Sequence, residues 1–272
     1  MYKIKLIQEN PKVGDIQGNL DLAKSHIIEA KEKGINLIIF SEMFLTGYPP
    51  EDLLLREDFL EESERCSKEL EGLSKEISII IGCPSRIEKN IFNSALFYQN
   101  GKIVKNYKKQ ILPNYKEFDE KRYFLKGEAH EVFEDGSLKF GISICEDIWN
   151  EDFTKEVCNQ DIDLLINLSA SPFTIDKKNL REEMLCNYFA KFKKPIIYVN
   201  QVGGQDELVF DGSSLIVDSK ETVKRLKSFE TDQAVIEIDD NNISSSLKED
   251  QLTKVGDISD IYKALVLGTR DY

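Results

Sequence analysis

Apolar residues recur along this chain in short, nearly continuous runs, separated by stretches in which they fall at helical spacing, and that rhythm predicts an α/β protein. Residues 1–7 read as a first strand. Asn19 and Asp21 then precede Leu22, Ala23, Ile27, Ile28 and Ala30, which share one helical face and are stopped by Gly34. Residues 35–40 are almost unbroken in their apolarity, as strands buried on both faces are, and they end at Ser41-Glu42. A second helix is expected over about 59–75 and a strand over 77–82. Strands at 91–98 and 102–107 flank Asn100-Gly101, the strongest short hairpin signal, and run on into Lys108-Lys109.

The second half repeats the pattern. Residues 140–144 alternate apolar and small side chains, then halt at Cys145, two carboxylates and the only tryptophan, Trp149. A helix from about Asp152 leads to a strand at 162–168, closed by Ser169-Ala170-Ser171-Pro172. Leu180, Met184, Leu185, Tyr188, Phe189 and Phe192 mark one face of a long helix that ends before Pro195. Further strands are expected at 195–200, 208–210, 214–217 and 234–238. Helices and strands mix around a hairpin, which predicts a mixed sheet, or two packed sheets, covered by helices. From about Asn241 the chain turns polar and serine-rich like a linker, and an amphipathic helix at 258–267 closes it.

Composition narrows the function classes. With 272 residues, 41% of them apolar, the chain can bury a large core. Its net charge of -13 argues against nucleic acid, which needs clustered lysine and arginine. The five cysteines, Cys66, Cys83, Cys145, Cys158 and Cys186, are odd in number and form no C-x-x-C pair, so reduced thiols are expected rather than a metal site or disulfides. No apolar run approaches the ~20 residues of a membrane span, and the N-terminus lacks a signal-peptide core. The expectation is a cytoplasmic protein with no membrane partner.

Polar groups at the ends of apolar strands are the candidates for chemistry: Glu42, the Lys108-Lys109 pair and Cys145. Each has a bland alternative, since free cysteine is commonly a small core residue and strand-end charges are commonly solvated. A thiol with an unperturbed pKa of ~8.5 needs help to ionise at neutral pH. The only histidines, His26 and His130, lie in a helix and in a polar run, away from the strand ends, which disfavours a cysteine–histidine dyad. A carboxylate and a lysine suffice instead. The lysine's charge favours the thiolate and then the oxyanion, while the carboxylate takes the thiol proton and later activates water. Periodicity does not choose between Lys108 and Lys109, because adjacent strand residues point to opposite faces.

Five stretches together resemble the nitrilase superfamily of carbon-nitrogen hydrolases, and within it the glutaminase domain of the glutamine-dependent NAD synthetases. They are residues 40–53, around Phe40-Ser41-Glu42-Met43; residues 109–120, from Lys109 through Leu112-Pro113-Asn114-Tyr115 to Glu120; residues 144–149; residues 167–173; and residues 200–213. The resemblance implies an αββα sandwich of two mixed sheets packed face to face with helices outside. It implies Glu42 as general base, Lys109 as catalytic lysine, Cys145 as nucleophile and Glu120 as a residue that positions the site. It further implies that L-glutamine is held by Tyr115, Ser171 and Lys177, with Tyr48 and Trp149 as pocket walls.

This resemblance divides the chain into a glutaminase domain at 1–240 and a linker with a helix at 241–272, leading toward a synthetase domain whose S-G-G-x-D-S phosphate loop this sequence does not contain. ATP, Mg and deamido-NAD belong to that partner domain, and no cofactor or metal is expected for glutamine hydrolysis. Family members commonly form homo-oligomers. Where they commonly have histidine, this chain has Ile111, and it has Thr174 and Asp176 where histidine and glycine are usual after Ser-Pro-Phe. Two alternatives accompany the reading: an amidase of the same mechanism on another small amide, and a non-catalytic regulatory or docking module.

Overall fold

The computed structural model describes residues 1–218, 222–239, 242–245, 247, 249–251 and 258–272. Its first half runs β1 (Tyr2–Gln8), α1 (Ile16–Glu32), β2 (Leu37–Ile39), α2 (Glu57–Leu73), β3 (Ser78–Ile87), β4 (Asn90–Gln99) and β5 (Lys102–Lys108). The second half runs β6 (Val132–Asp135), β7 (Leu138–Ile144), α3 (Glu151–Cys158), β8 (Leu164–Ser169), α4 (Lys177–Phe192), β9 (Ile196–Asn200), β10 (Val202–Gln205), β11 (Leu208–Asp211) and β12 (Leu215–Val217). Then follow β13 (Thr222–Arg225), β14 (Asp232–Asp239), β15 (Asn242–Ser245), β16 (Glu249–Gln251) and α5 (Ile258–Asp271).

Two mixed seven-stranded sheets result, in the orders β15-β14-β1-β2-β3-β4-β5 and β16-β13-β12-β9-β8-β7-β6, beside a small β10-β11 hairpin. In each, the central strands are parallel because helices carry the chain back between them: α1 and α2 link β1, β2 and β3, and α3 and α4 link β7, β8 and β9. Side-chain alternation then sorts the layers. Leu37, Ile39 and Ile80 enter the core between the sheets, whereas Ile38, Ile79 and Ile81 face α1 and α2 with Leu20, Ile27 and Leu70. Phe97, Phe133 and Phe140 knit the sheets together, with ring centres 5.6–5.9 Å apart.

Several boundaries depart from the sequence reading, each for a local reason. Helix α1 starts at Ile16 because Asp15 is its cap, accepting the Gly18 N–H at 3.0 Å. Asn19 does not cap; it is buried, donating to the Lys12 and Leu45 carbonyls. Strand β3 continues past residue 82 into a second hairpin with β4. Short strands β6, β10 and β13 fall in stretches too polar or too brief to show a period. The segment read as a linker from 241 contains β15 and β16, paired to the outer strands of the two sheets, so both sheets extend beyond residue 240. Helix α5 runs on to Asp271 and covers the small hairpin: Ala264 and Leu267 pack with Val202 and Phe229, and Asp271 accepts from Gly204 N and Asn10 Nδ2.

Candidate active site

The ends of β2, β5, β7 and β8 bring the strand-end polar groups to one place between the sheets. Glu42 sits in the turn after β2 and is completely buried. That turn rests on Gly82 of β3, where a Cβ would come within 2.4 Å of the Met43 N and 2.6 Å of the Glu42 Cα. Glu42 Oε1 accepts from Lys109 Nζ at 2.8 Å and Asn93 Nδ2 at 2.7 Å, and Oε2 accepts the Ala170 N–H at 2.8 Å. Lys109, the residue after β5, also donates to Glu120 Oε1 at 2.7 Å, and the Tyr48 hydroxyl donates to the same oxygen at 2.9 Å. Lys108 points elsewhere, its Nζ 4.6 Å from the centre of the Phe92 ring. Of the two adjacent lysines, only Lys109 therefore shares a buried cluster with Glu42 and Glu120.

Cys145 follows β7 with φ at +43°, in the left-handed region that side chains with a Cβ avoid. There the extended strand breaks into the tight 3-10 turn Cys145–Trp149. Asp147 pins the turn: one oxygen accepts the Gln110 and Ile111 N–H groups at 3.0 and 2.8 Å, the other the Ile144 N–H at 2.9 Å and the Tyr107 hydroxyl at 2.7 Å. One buried carboxylate thus ties the segment after Lys109 to the turn that carries Cys145.

The charges follow from this burial. Burial foremost, then the Glu42 carboxylate, push the Cys145 thiol well above its usual range, against the pull of the Lys109 and Lys177 ammonium groups. Burial opposes the charge on Lys109, yet Glu120 and Glu42 hold its pKa well above the ordinary value. Burial raises Glu120 to about 7 and outweighs Lys109 beside it; its Oε2 is buried without a partner among the described residues. Cys145 therefore lies within electrostatic reach of the buried Lys109 ammonium and of the hydrogen-bonded Glu42 carboxylate. Nucleophilic attack on an amide, with the thiol proton passed to a carboxylate and the oxyanion met by an ammonium, is chemistry this set can perform.

The residues expected to hold a substrate are more scattered. Ser171 Oγ, just past the end of β8, is buried without a hydrogen-bond partner among the described residues, and its N–H donates to Asn200 Oδ1 at 2.8 Å. Lys177 begins α4, with Nζ 5.7 Å from the centre of the Phe118 ring and no ion pair among the described residues. Tyr115, half-exposed, packs its ring edge against Phe118 and donates to Glu146 Oε1 at 2.8 Å. A cavity of about 180 Å3, bounded in part by Tyr48, Phe118 and Glu120, adjoins this wall. Trp149 is half-buried against the inter-sheet core. His26 bonds Glu9 and His130 bonds Glu156. Among the described residues, no group of three His, Cys, Asp or Glu could hold a metal, and no helix is long and apolar enough to cross a membrane.

Sequence reasoning missed Asn93, Asp147, Phe118 and the Ala170 N–H. For Asn93 a signal existed, a polar Asn93-Ser94 step set inside the largely apolar strand at 91–98. Backbone donors and cross-chain tethers leave no comparable mark.

Comparison with known proteins agrees with this geometry. Residues 3–246 match the carbon-nitrogen hydrolase family. Over its whole length the chain is 37% identical to the glutamine-dependent NAD(+) synthetase of Acinetobacter baylyi, covering 50% of that protein. It is 39% identical to the corresponding synthetase of Thermotoga maritima, over 90% of this chain and 43% of that one. The chain thus spans about half the length of these relatives. The structure of the glutamine-dependent NAD+ synthetase from Acinetobacter baumannii, solved in complex with ADP, superposes on all of this chain and 52% of that one, with a TM-score of 0.93 and 35% identity. An amidase of the nitrilase superfamily from Nesterenkonia, 22% identical, shares the fold over 88% of the chain with a TM-score of 0.79. A sandwich that gathers a carboxylate, an ammonium and a thiol at its strand ends, in a chain matched over 90–100% of its own length by about half of each of those synthetases, belongs to the carbon-nitrogen hydrolase family and corresponds to the amino-terminal half of the glutamine-dependent NAD synthetases.

Proposed function

We propose that this chain is a glutamine amidohydrolase that yields glutamate and ammonia through a thioester on Cys145. Glu42 takes the thiol proton as the sulfur attacks the side-chain amide, and Lys109 faces the oxygen that becomes negative. The protonated carboxylate gives its proton to departing ammonia, then draws one from the water that opens the thioester. Glu120, itself bonded by the Tyr48 hydroxyl, holds Lys109 from behind. Lys177, with no ion pair among the described residues, offers its cation to the substrate carboxylate, and Ser171 Oγ and the Tyr115 hydroxyl offer further hydrogen bonds. Trp149 contributes, on this reading, a more distant wall.

The observation that carries the proposal is the buried Lys109 bridging Glu42 and Glu120 beside a nucleophile-bearing turn, with no imidazole nearby. The choice of glutamine draws on the relatives' glutamine dependence and on Lys177. The ammonia would pass to a synthetase partner that uses ATP, Mg and deamido-NAD to make NAD, with the whole assembling as a homo-oligomer in the cytoplasm. A diazo ketone analogue of glutamine followed by intact-mass measurement tests the hydrolase itself. The expected result is one adduct, lost in Cys145→Ala. No adduct at all would favour a docking module, and short aliphatic amides turned over far faster than glutamine would overturn the substrate.

A further inference from the structure

Ser171 and Lys177 stand at the two ends of one loop, and both ends are fastened to the same buried ion pair. Arg181 lies one helical turn beyond Lys177 on α4 and is only 1% exposed. Its Nη2 donates to Asp211 Oδ2 at 2.9 Å, with Nη1 3.5 Å from Oδ1, and the guanidinium lies 5.1 Å from the centre of the Tyr198 ring. Asp211, at the end of β11, adjoins Asn200: Asn200 Nδ2 is 3.4 Å from Asp211 Oδ1 and donates to the Gly212 carbonyl at 2.9 Å. Asn200 Oδ1 in turn accepts the Ser171 N–H. A continuous polar chain therefore runs from the first turn of α4 to the backbone of Ser171.

Burying two full charges is a costly way to fasten a helix to a hairpin, and apolar residues of similar volume often serve stability as well or better. Here Arg181 Nε also has no hydrogen-bond partner among the described residues, which adds to the cost. What a guanidinium–carboxylate pair supplies that apolar packing does not is direction, because the planar fork fixes the orientation of both partners. Arg181 is not placed to take the substrate's carboxylate itself. Its charge is committed to Asp211, whereas Lys177 has no ion pair among the described residues.

The geometry points to Arg181 and Asp211 as positioning residues for substrate recognition. They set the spacing between Lys177 and Ser171 that an amino acid substrate requires, without touching that substrate. The inference rests on the reading above, in which Ser171 and Lys177 hold glutamine.

The test compares the unaltered chain with Arg181→Lys, which keeps the charge but loses the fork, and Asp211→Asn, which keeps the shape but loses the charge. Steady-state hydrolysis gives KM and kcat for glutamine. Alkylation of Cys145 by iodoacetamide, followed by intact mass, reports on the nucleophile without calling on Ser171 or Lys177. In both variants KM for glutamine should rise about tenfold or more, as when a charge-assisted contact slips out of place. Both kcat and the alkylation rate should change far less. Three results overturn the assignment: an unchanged KM, losses of kcat and alkylation in step with KM, or failure of both variants to fold, which would make the pair a device of stability alone. An unaltered chain that ignores glutamine while Cys145 still alkylates would instead defeat the functional reading, and this inference with it.

Discussion

The proposed chemistry turns on one residue, Lys109. Surrounded by apolar strands, it keeps its charge because two carboxylates reach it, and removing it would leave both without their cation. Lys109→Ala, Glu42→Gln and Cys145→Ala should each lower glutamine hydrolysis by roughly a thousandfold or more, as loss of a group acting in the transition state does. Lys108→Ala, lying over Phe92, should retain most activity; the measurement is kcat/KM for the four variants. Glu120 makes a separate prediction. Its folded pKa of about 7 lies above the ordinary carboxylate value of 4.5, so the folded state binds its proton more tightly than the unfolded one. Stability must then fall as pH rises through that window and level off above it. Urea midpoints measured across the same range should fall more steeply for the unaltered chain than for Glu120→Gln, and parallel curves would contradict the assigned titration.

At the scale of elements, the site depends on how closely one turn approaches a neighbouring strand. Gly82 accepts the 41–45 turn directly on its backbone, with its N–H donating to Ser41 O and its carbonyl accepting from Leu45 N. A methyl group there would meet only backbone, which has no means of swinging aside. Gly82→Ala should therefore lower kcat by about a hundredfold, the expected effect of moving a reacting group by an ångström, while circular dichroism stays close to normal. Long apolar runs and the Asn100-Gly101 turn were readable in the sequence because their signals are local. So were Glu42 and Cys145, which stand where apolar runs stop. The short strands β6 and β13 were not, since their pairing comes from neighbours remote in the chain. Nor could periodicity separate Lys108 from Lys109: one ends β5 and the other follows it, and only carboxylates remote in the chain, Glu42 and Glu120, distinguish the one they enclose. Asp147 stands beside Cys145 in sequence, yet its role depends on N–H groups more than thirty residues earlier.

For the molecule as a whole, the sandwich is closed by segments past residue 240 rather than completed before it. β15 and β16 lengthen the two sheets, and α5 shields Val202 and Phe229 of the hairpin region. A chain ending at residue 240 should therefore unfold at a lower temperature than the 272-residue chain, since covering Leu267 alone is worth about 2 kcal/mol. Equal melting temperatures would show that the tail adds nothing. Global stability also bears the cost of reactivity. The left-handed backbone at residue 145 costs about 1–3 kcal/mol for any residue bearing a Cβ, and glycine avoids most of that cost. Cys145→Gly should thus be inert and yet more heat-resistant than its parent, a sturdier vessel in which an uncleaved amide could be captured and seen.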